Sequence, residues 1–141
     1  MIYFVDTSAL VKRYIAEAGS EQVRRLLRRK VEICVARITE AEAYAAIARA
    51  TRMGALAADE RDRAFNQLSV DLAAARIVEI RRAVVTAVRE LVVRWSLRGY
   101  DAIQLACALR LHEEGVAVDF WCADGDLVTA ARGEGLRVTP V

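Results

Sequence analysis

Ile2-Tyr3-Phe4-Val5-Asp6-Thr7-Ser8-Ala9-Leu10-Val11 is the stretch that decides the fold. Four β-favouring apolar residues run into an acid and two hydroxyl residues, and an apolar helical pattern follows. This is the signature of a strand feeding a helix through a capping turn. The same grammar recurs along the chain. Gly19 and Ser20 separate the first helical segment from a second, with Ser20 expected as its cap and Val23, Leu26 and Leu27 on its apolar side. Val31 to Ala36 reads as a second strand, Thr39 to Arg52 as an alanine-rich helix, and Ala57 to Ala74 as another. Arg76 to Ile80 reads as a third strand, followed by a helix over Arg82 to Trp95. Asp101 is expected to open a helix that is apolar almost all round, hence buried. Val116 to Cys122 reads as a fourth strand, Asp124 starts a last helix, and Leu136 to Val138 forms an edge strand.

Strands alternating with helices predict a three-layer α/β/α sandwich around a parallel sheet of four to five strands. Crossovers should be right-handed. With 141 residues, 55% of them apolar, the chain is expected to fold as a single domain over residues 1–141 with a substantial core. No internal repeat or proline-rich linker interrupts it; Pro140 is the only proline.

The net charge of +2 is too small to argue for a nucleic-acid partner by itself. Arginine supplies nearly all the positive charge, and its fork suits phosphate oxygens. Cys34, Cys107 and Cys122 show no zinc-binding spacing and read as small buried hydrophobes. An odd cysteine count and no secretory leader lead to the expectation of a cytoplasmic protein. No apolar run is long enough for a membrane span. His112 is the only histidine, which excludes a two-histidine acid–base mechanism within one chain. No Walker-type phosphate loop is present.

Three acids occupy related places. Asp6 follows the first strand, Asp124 the fourth, and Asp101 stands at the head of the buried helix. In an open parallel sheet, ligands bind beyond the carboxyl ends of the strands, where Asp6 and Asp124 should lie. Each acid alone is accounted for as a helix cap. Three at one edge are not, because capping does not require acids there. Glu42 lies within the alanine-rich helix. Periodicity leaves it open whether Glu42 or Glu40 faces the site, and whether Glu42 completes a capping box with Thr39.

Carboxylates brought together repel. At about 4 Å and an effective dielectric near 20, each charged pair costs roughly 4 kcal/mol. A divalent cation relieves this, and an all-oxygen ligand set favours Mg²⁺ or Mn²⁺ over zinc. Such a site suits phosphodiester hydrolysis. A phospho-aspartate phosphatase would also place an acid after the first strand, but the second acid it needs two residues on is here Ser8. The remaining alternative is a catalytically inactive module for dimerisation or for binding a protein partner, with the acids serving only as caps.

The opening Val5-Asp6-Thr7-Ser8-Ala9-Leu10-Val11-Lys12-Arg13-Tyr14 resembles the start of PIN-domain nucleases, the VapC-like toxins in particular. Three further stretches resemble that family's later motifs, in order: Ala41-Glu42 with Arg49 beyond it, Tyr100-Asp101-Ala102-Ile103-Gln104-Leu105-Ala106, and Ala123-Asp124-Gly125-Asp126-Leu127. The resemblance spans the chain. It implies a PIN-like sandwich and an acidic quartet of Asp6, Glu42, Asp101 and Asp124 binding Mg²⁺ or Mn²⁺. It also implies cleavage of single-stranded RNA, a homodimer and a small cognate antitoxin, and it selects Glu42 over Glu40. Ser8 matches a polar position supporting the acids. Cys122 departs from the Thr or Ser usual two residues before the fourth acid and is a weaker donor. Asp126 is a candidate further carboxylate. Arg13, Arg49 and Arg98 are candidate RNA-phosphate ligands by charge and position.

Overall fold

The computed structural model describes residues 1–141. Strands β1 (Ile2–Val5), β2 (Ile33–Ala36), β3 (Arg76–Val78), β4 (Val118–Cys122) and β5 (Arg137–Pro140) form one sheet in the order β3-β2-β1-β4-β5. Every pairing is parallel, as the strand–helix alternation predicts. The chain builds outward from β1 to β3, then returns to lay β4 on the other side of β1. The strand order therefore reverses between β1 and β4, and this switch point is where such sheets open a crevice for ligands. Val5 pairs with Trp121, so Asp6 leaves β1 beside Cys122, the last residue of β4. The Asp6 N–H donates to the Trp121 carbonyl at 2.9 Å.

Alternation along the strands divides two cores. Phe4, Cys34 and Phe120 face one layer, built from α5 (Arg82–Trp95), α6 (Gly99–Glu113) and α7 (Gly125–Gly133). Val5, Val35 and Trp121 face the other, built from α1 (Thr7–Leu10), α2 (Ser20–Leu27), α3 (Ile38–Arg52) and α4 (Ala58–Ala74). A sheet covered on both faces needs apolar residues at consecutive positions, which is why these strands read as continuous runs. Phe4 and Phe120 are fully buried register partners whose rings stack with centroids 5.6 Å apart. All three cysteines are free and buried, as expected. No helix is long and apolar enough to cross a membrane.

Several boundaries differ from the sequence reading. Gly19, at φ 86°, is the residue preceding α2, and Ser20 lies inside the helix. The Ser20 hydroxyl instead ties down the incoming chain, accepting from the Glu17 N–H and donating to the Ile15 carbonyl. The third strand stops at Val78, the fourth starts at Val118, and the last runs over Arg137–Pro140 rather than Leu136 to Val138. Thr39 does not cap α3 and forms no capping box with Glu42; it is fully buried and bonded to Gln104. Asp101 does not open α6, which begins two residues earlier; it sits in the first turn.

At the back of the molecule, α7 closes against α5 through Gly133, where an added Cβ would overlap the Trp95 ring. The Trp95 indole N–H also donates to Glu134 at 2.6 Å, which holds the ring in place. Gly133→Ala should therefore lower stability by about 1–3 kcal/mol, as forced overpacking does. Chemical denaturation would check this, and an unchanged midpoint would show that Trp95 swings away freely.

Candidate active site

Asp6 leaves β1 in an extended conformation and caps α1. The Ser8 backbone N–H donates to Asp6 Oδ2 at 3.0 Å, and the Ser8 hydroxyl donates to the same oxygen. Asp124 leaves β4 and caps α7, its Oδ1 accepting from the Leu127 N–H at 2.9 Å. Both acids are thus helix caps, and both also line one cleft at the switch point. With them stand Glu42 from α3 and Asp101 from α6, in a cleft of about 490 Å³ whose lining also includes Thr7, Ser8, Arg49, Arg52 and Arg98. The four acids singled out in the sequence, separated by up to 118 positions, are brought together.

Each carboxylate has one oxygen held by the protein. Asp6 Oδ2 and Asp124 Oδ1 take the cap donors. Asp101 Oδ2 accepts from Arg98 Nε at 3.1 Å. Glu42 Oε1 accepts from the Thr7 hydroxyl at 2.9 Å and from Gln104 Nε2 at 2.8 Å. The second oxygen of each accepts nothing from the protein. The carboxylates are therefore oriented, with one lone-pair face apiece left over.

Asp6 carries the electrostatic strain. It is only 3% exposed. Burial pushes its carboxyl from 3.8 up to about 6, and the charges of Glu42 and Asp101 add to the rise, against the lowering effect of the Ser8 bonds. Arg98 is the one cation bonded to an acid in the cleft, and Asp101 holds its guanidinium protonated more firmly than usual. Arg49 and Arg52, one helical turn apart on α3, are exposed and line the rim.

The donor set fits a hard divalent cation: four carboxylates and no sulfur or imidazole among the acids' neighbours apart from the Cys122 thiol. As they stand, no group of three or more acidic, cysteine or histidine side chains is close enough to hold an ion.

Cys122 lies between the acids. Its sulfur accepts from the Asp124 N–H at 3.3 Å and stands 3.6 Å from both Asp6 Oδ2 and the Ser8 hydroxyl. Burial pushes the thiol up to about 12, so it is neutral and supports the loop as a weak donor and acceptor. Asp126 is exposed in the first turn of α7 and does not line the cleft. Arg13 does not reach the cleft either. Its guanidinium is held by Asp71 of α4, which also accepts from the Tyr14 hydroxyl at 2.7 Å. Thr7, Arg52 and Gln104 are cleft or cleft-supporting residues that the sequence reading did not single out. Gln104 had a signal: it is a neutral amide inside a helix otherwise apolar on nearly every side.

The sheet is all-parallel, and its acidic cleft lies at the switch point between β1 and β4. The PIN domain profile matches residues 3–120, and the chain belongs to the PIN-domain family. Ribonuclease VapC45 and Ribonuclease VapC49 of Mycobacterium tuberculosis are each 34% identical to it over 140 residues, covering 99% of this chain and 95% of theirs. Among solved structures, PAE2754 from Pyrobaculum aerophilum superposes with a TM-score of 0.69 at 20% identity, covering 94% of this chain and 81% of that one. VapC20 of Mycobacterium tuberculosis, described as a sarcin-ricin loop cleaving toxin, gives 0.65 at 18% identity, covering 91% and 94%. A toxin-antitoxin complex from Klebsiella pneumoniae gives 0.60 at 17% identity, covering 86% of each chain. At these identities the structures establish the fold.

Proposed function

We propose that the chain is a Mg²⁺- or Mn²⁺-dependent endoribonuclease that cleaves single-stranded RNA, and that it is the toxin of a toxin–antitoxin pair. The observation that carries this reading is the cleft itself. Four carboxylates from four separate elements converge there, each with one oxygen fixed and one unopposed. Asp6, Glu42, Asp101 and Asp124 would hold the ion. Bound there, the ion supplies Lewis acidity toward the phosphodiester and its attacking water. The full-length relatives named ribonucleases point to RNA as the substrate. The toxin-antitoxin neighbour supports an antitoxin partner, and the family resemblance supports a homodimer working in the cytoplasm.

The chain's own groups supply orientation. Ser8 and the α1 amide fix Asp6, and the Leu127 amide fixes Asp124. Arg49 and Arg52 on one wall and Arg98 on the other are set to hold phosphates flanking the scissile bond. Incubating the protein with a labelled single-stranded RNA, with and without Mg²⁺ or Mn²⁺, tests the activity. No cleavage with either ion over a set of unrelated RNAs would reject it. Arg49→Ala should weaken RNA binding and flatten its salt dependence by about 0.7 in the log–log slope, the amount expected for one lost phosphate contact on a single strand. An unchanged slope would remove Arg49 from the interface.

A further inference from the structure

We propose that Gln104 is a positioning residue that sets the Glu42 carboxylate in the cleft. The inference rests on the reading that Glu42 serves a cation site. Gln104 is 1% exposed, on α6 one turn beyond Asp101, among Leu105, Ala106 and Ala108. Packing there calls for an apolar side chain, and a buried amide is costly unless bonded. Both of its polar atoms are bonded. Nε2 donates to Glu42 Oε1 and Thr7 Oγ1, both at 2.8 Å, and lies 3.0 Å from Thr39 Oγ1. The Thr39 hydroxyl is the partner of the amide oxygen, at 3.4 Å.

The chemistry of the partners fixes which way the amide faces. An ionised carboxylate only accepts, so the NH₂ group must meet Glu42. Thr7 gives its single hydroxyl proton to Glu42 Oε1 and so must accept from Gln104. Two donors thus converge on Oε1, while Oε2 stays free for the cleft. A glutamate with several rotatable bonds becomes a fixed ligand. The same three polar residues knit together α1, α3 and α6, the elements that begin at or carry Asp6, Glu42 and Asp101. Thr7 bonds both Gln104 and Glu42, Thr39 bonds Gln104 alone, and Gln104 is the only one of the three bonded to both others.

Gln104→Met separates positioning from mere structure. Methionine has similar length and volume and suits an apolar helix, so the protein should still fold, with a lowered melting temperature because the buried Thr39 hydroxyl is left without its partner. Mn²⁺ affinity, measured by calorimetry on the whole protein, should nonetheless fall about 10- to 100-fold, the range seen when a residue orienting a metal ligand is lost. Leu111→Ala is the control: it loosens the far end of the same helix and should leave Mn²⁺ affinity unchanged. A fall smaller than tenfold in Gln104→Met overturns the proposal, as does an equal fall in Leu111→Ala. If Gln104→Met does not fold, Gln104→Asn keeps a buried amide too short to reach Glu42, and the same pattern is required of it. Failure of the wild-type protein itself to bind Mn²⁺ would overturn the cation-site reading and this inference with it; binding by wild type with no loss in the variants would overturn this inference alone.

Discussion

Asp6→Asn is expected to lose divalent-ion-dependent RNA cleavage by about 10³-fold or more, the factor that several kcal/mol of lost charge stabilisation represents. In the absence of metal at neutral pH, it should also melt at a higher temperature than the wild type. Asparagine is as good a cap as aspartate, and its amide oxygen can take the two Ser8 donors, so the geometry survives. What disappears is a charge that the fold tolerates poorly. Burial first, then Glu42 and Asp101, raise the Asp6 carboxyl from 3.8 to about 6. A folded-state value above the unfolded one means that the native protein binds this proton more tightly. The stabilising contribution is therefore fully present below about pH 4 and is lost as the pH rises through about 6. Above that window the ionised carboxyl costs up to about 3 kcal/mol. Asparagine in place of Asp6 removes that cost at every pH, so the variant's advantage should grow across the window and persist beyond it. Mg²⁺ should narrow the gap, because it stabilises only the protein that binds it. Melting curves in a chelator across this pH range, then with Mg²⁺, are the measurement. Full cleavage by the variant, or a lower melting temperature in the chelator, would contradict the account.

Much of this site was legible in the chain because two of its acids do two jobs. Asp6 and Asp124 end strands and begin helices, and the local pattern that marks a cap also marks the carboxyl edge of a parallel sheet. Strand count, parallel pairing and both covered faces followed from the same alternation. Asp101 was placed at the right end of the right helix but given the wrong local role. Arg98 fills the N-cap position, and Asp101 is held by the arginine side chain instead. Glu42 needed the family resemblance, since helical periodicity does not separate it from Glu40.

What stayed hidden depends on contacts between distant positions. Thr39 has the spacing of a capping residue, yet its hydroxyl is taken by Gln104, 65 positions away. Thr7 looks like one more turn residue until Gln104, 97 positions on, is found bonded to it. Arg13 sits in the opening motif beside the site in sequence. The short helical turn over Val11–Arg13 carries its side chain to Asp71 on α4, and a partly buried ion pair keeps it there. Local pattern reports which element a residue occupies; it does not report which side chain arrives from another layer to claim it.

The double role of Asp124 makes it the residue at which capping and catalysis can be separated. Asp124→Asn keeps an oxygen to accept the Leu127 N–H, so α7 should retain its cap and the protein its stability. Asp124→Ala removes the acceptor as well and should cost about 0.5–2 kcal/mol. Both lose the negative charge and the unopposed second oxygen, and both should lower RNA cleavage by about 10²-fold or more, on the scale of removing a single group that stabilises charge in the transition state. If Asp124 were only a cap, the Asn variant would cleave like wild type and only the Ala variant would suffer, in proportion to its lost stability. If it serves the site, activity falls equally in the two while stability falls in one. The Cys122 sulfur, which accepts the Asp124 N–H, is untouched in both variants and holds the loop in the same place, so the comparison isolates the carboxylate. Parallel denaturation and cleavage measurements on the pair therefore decide between a structural acid and a functional one at a position where the local sequence is equally consistent with both.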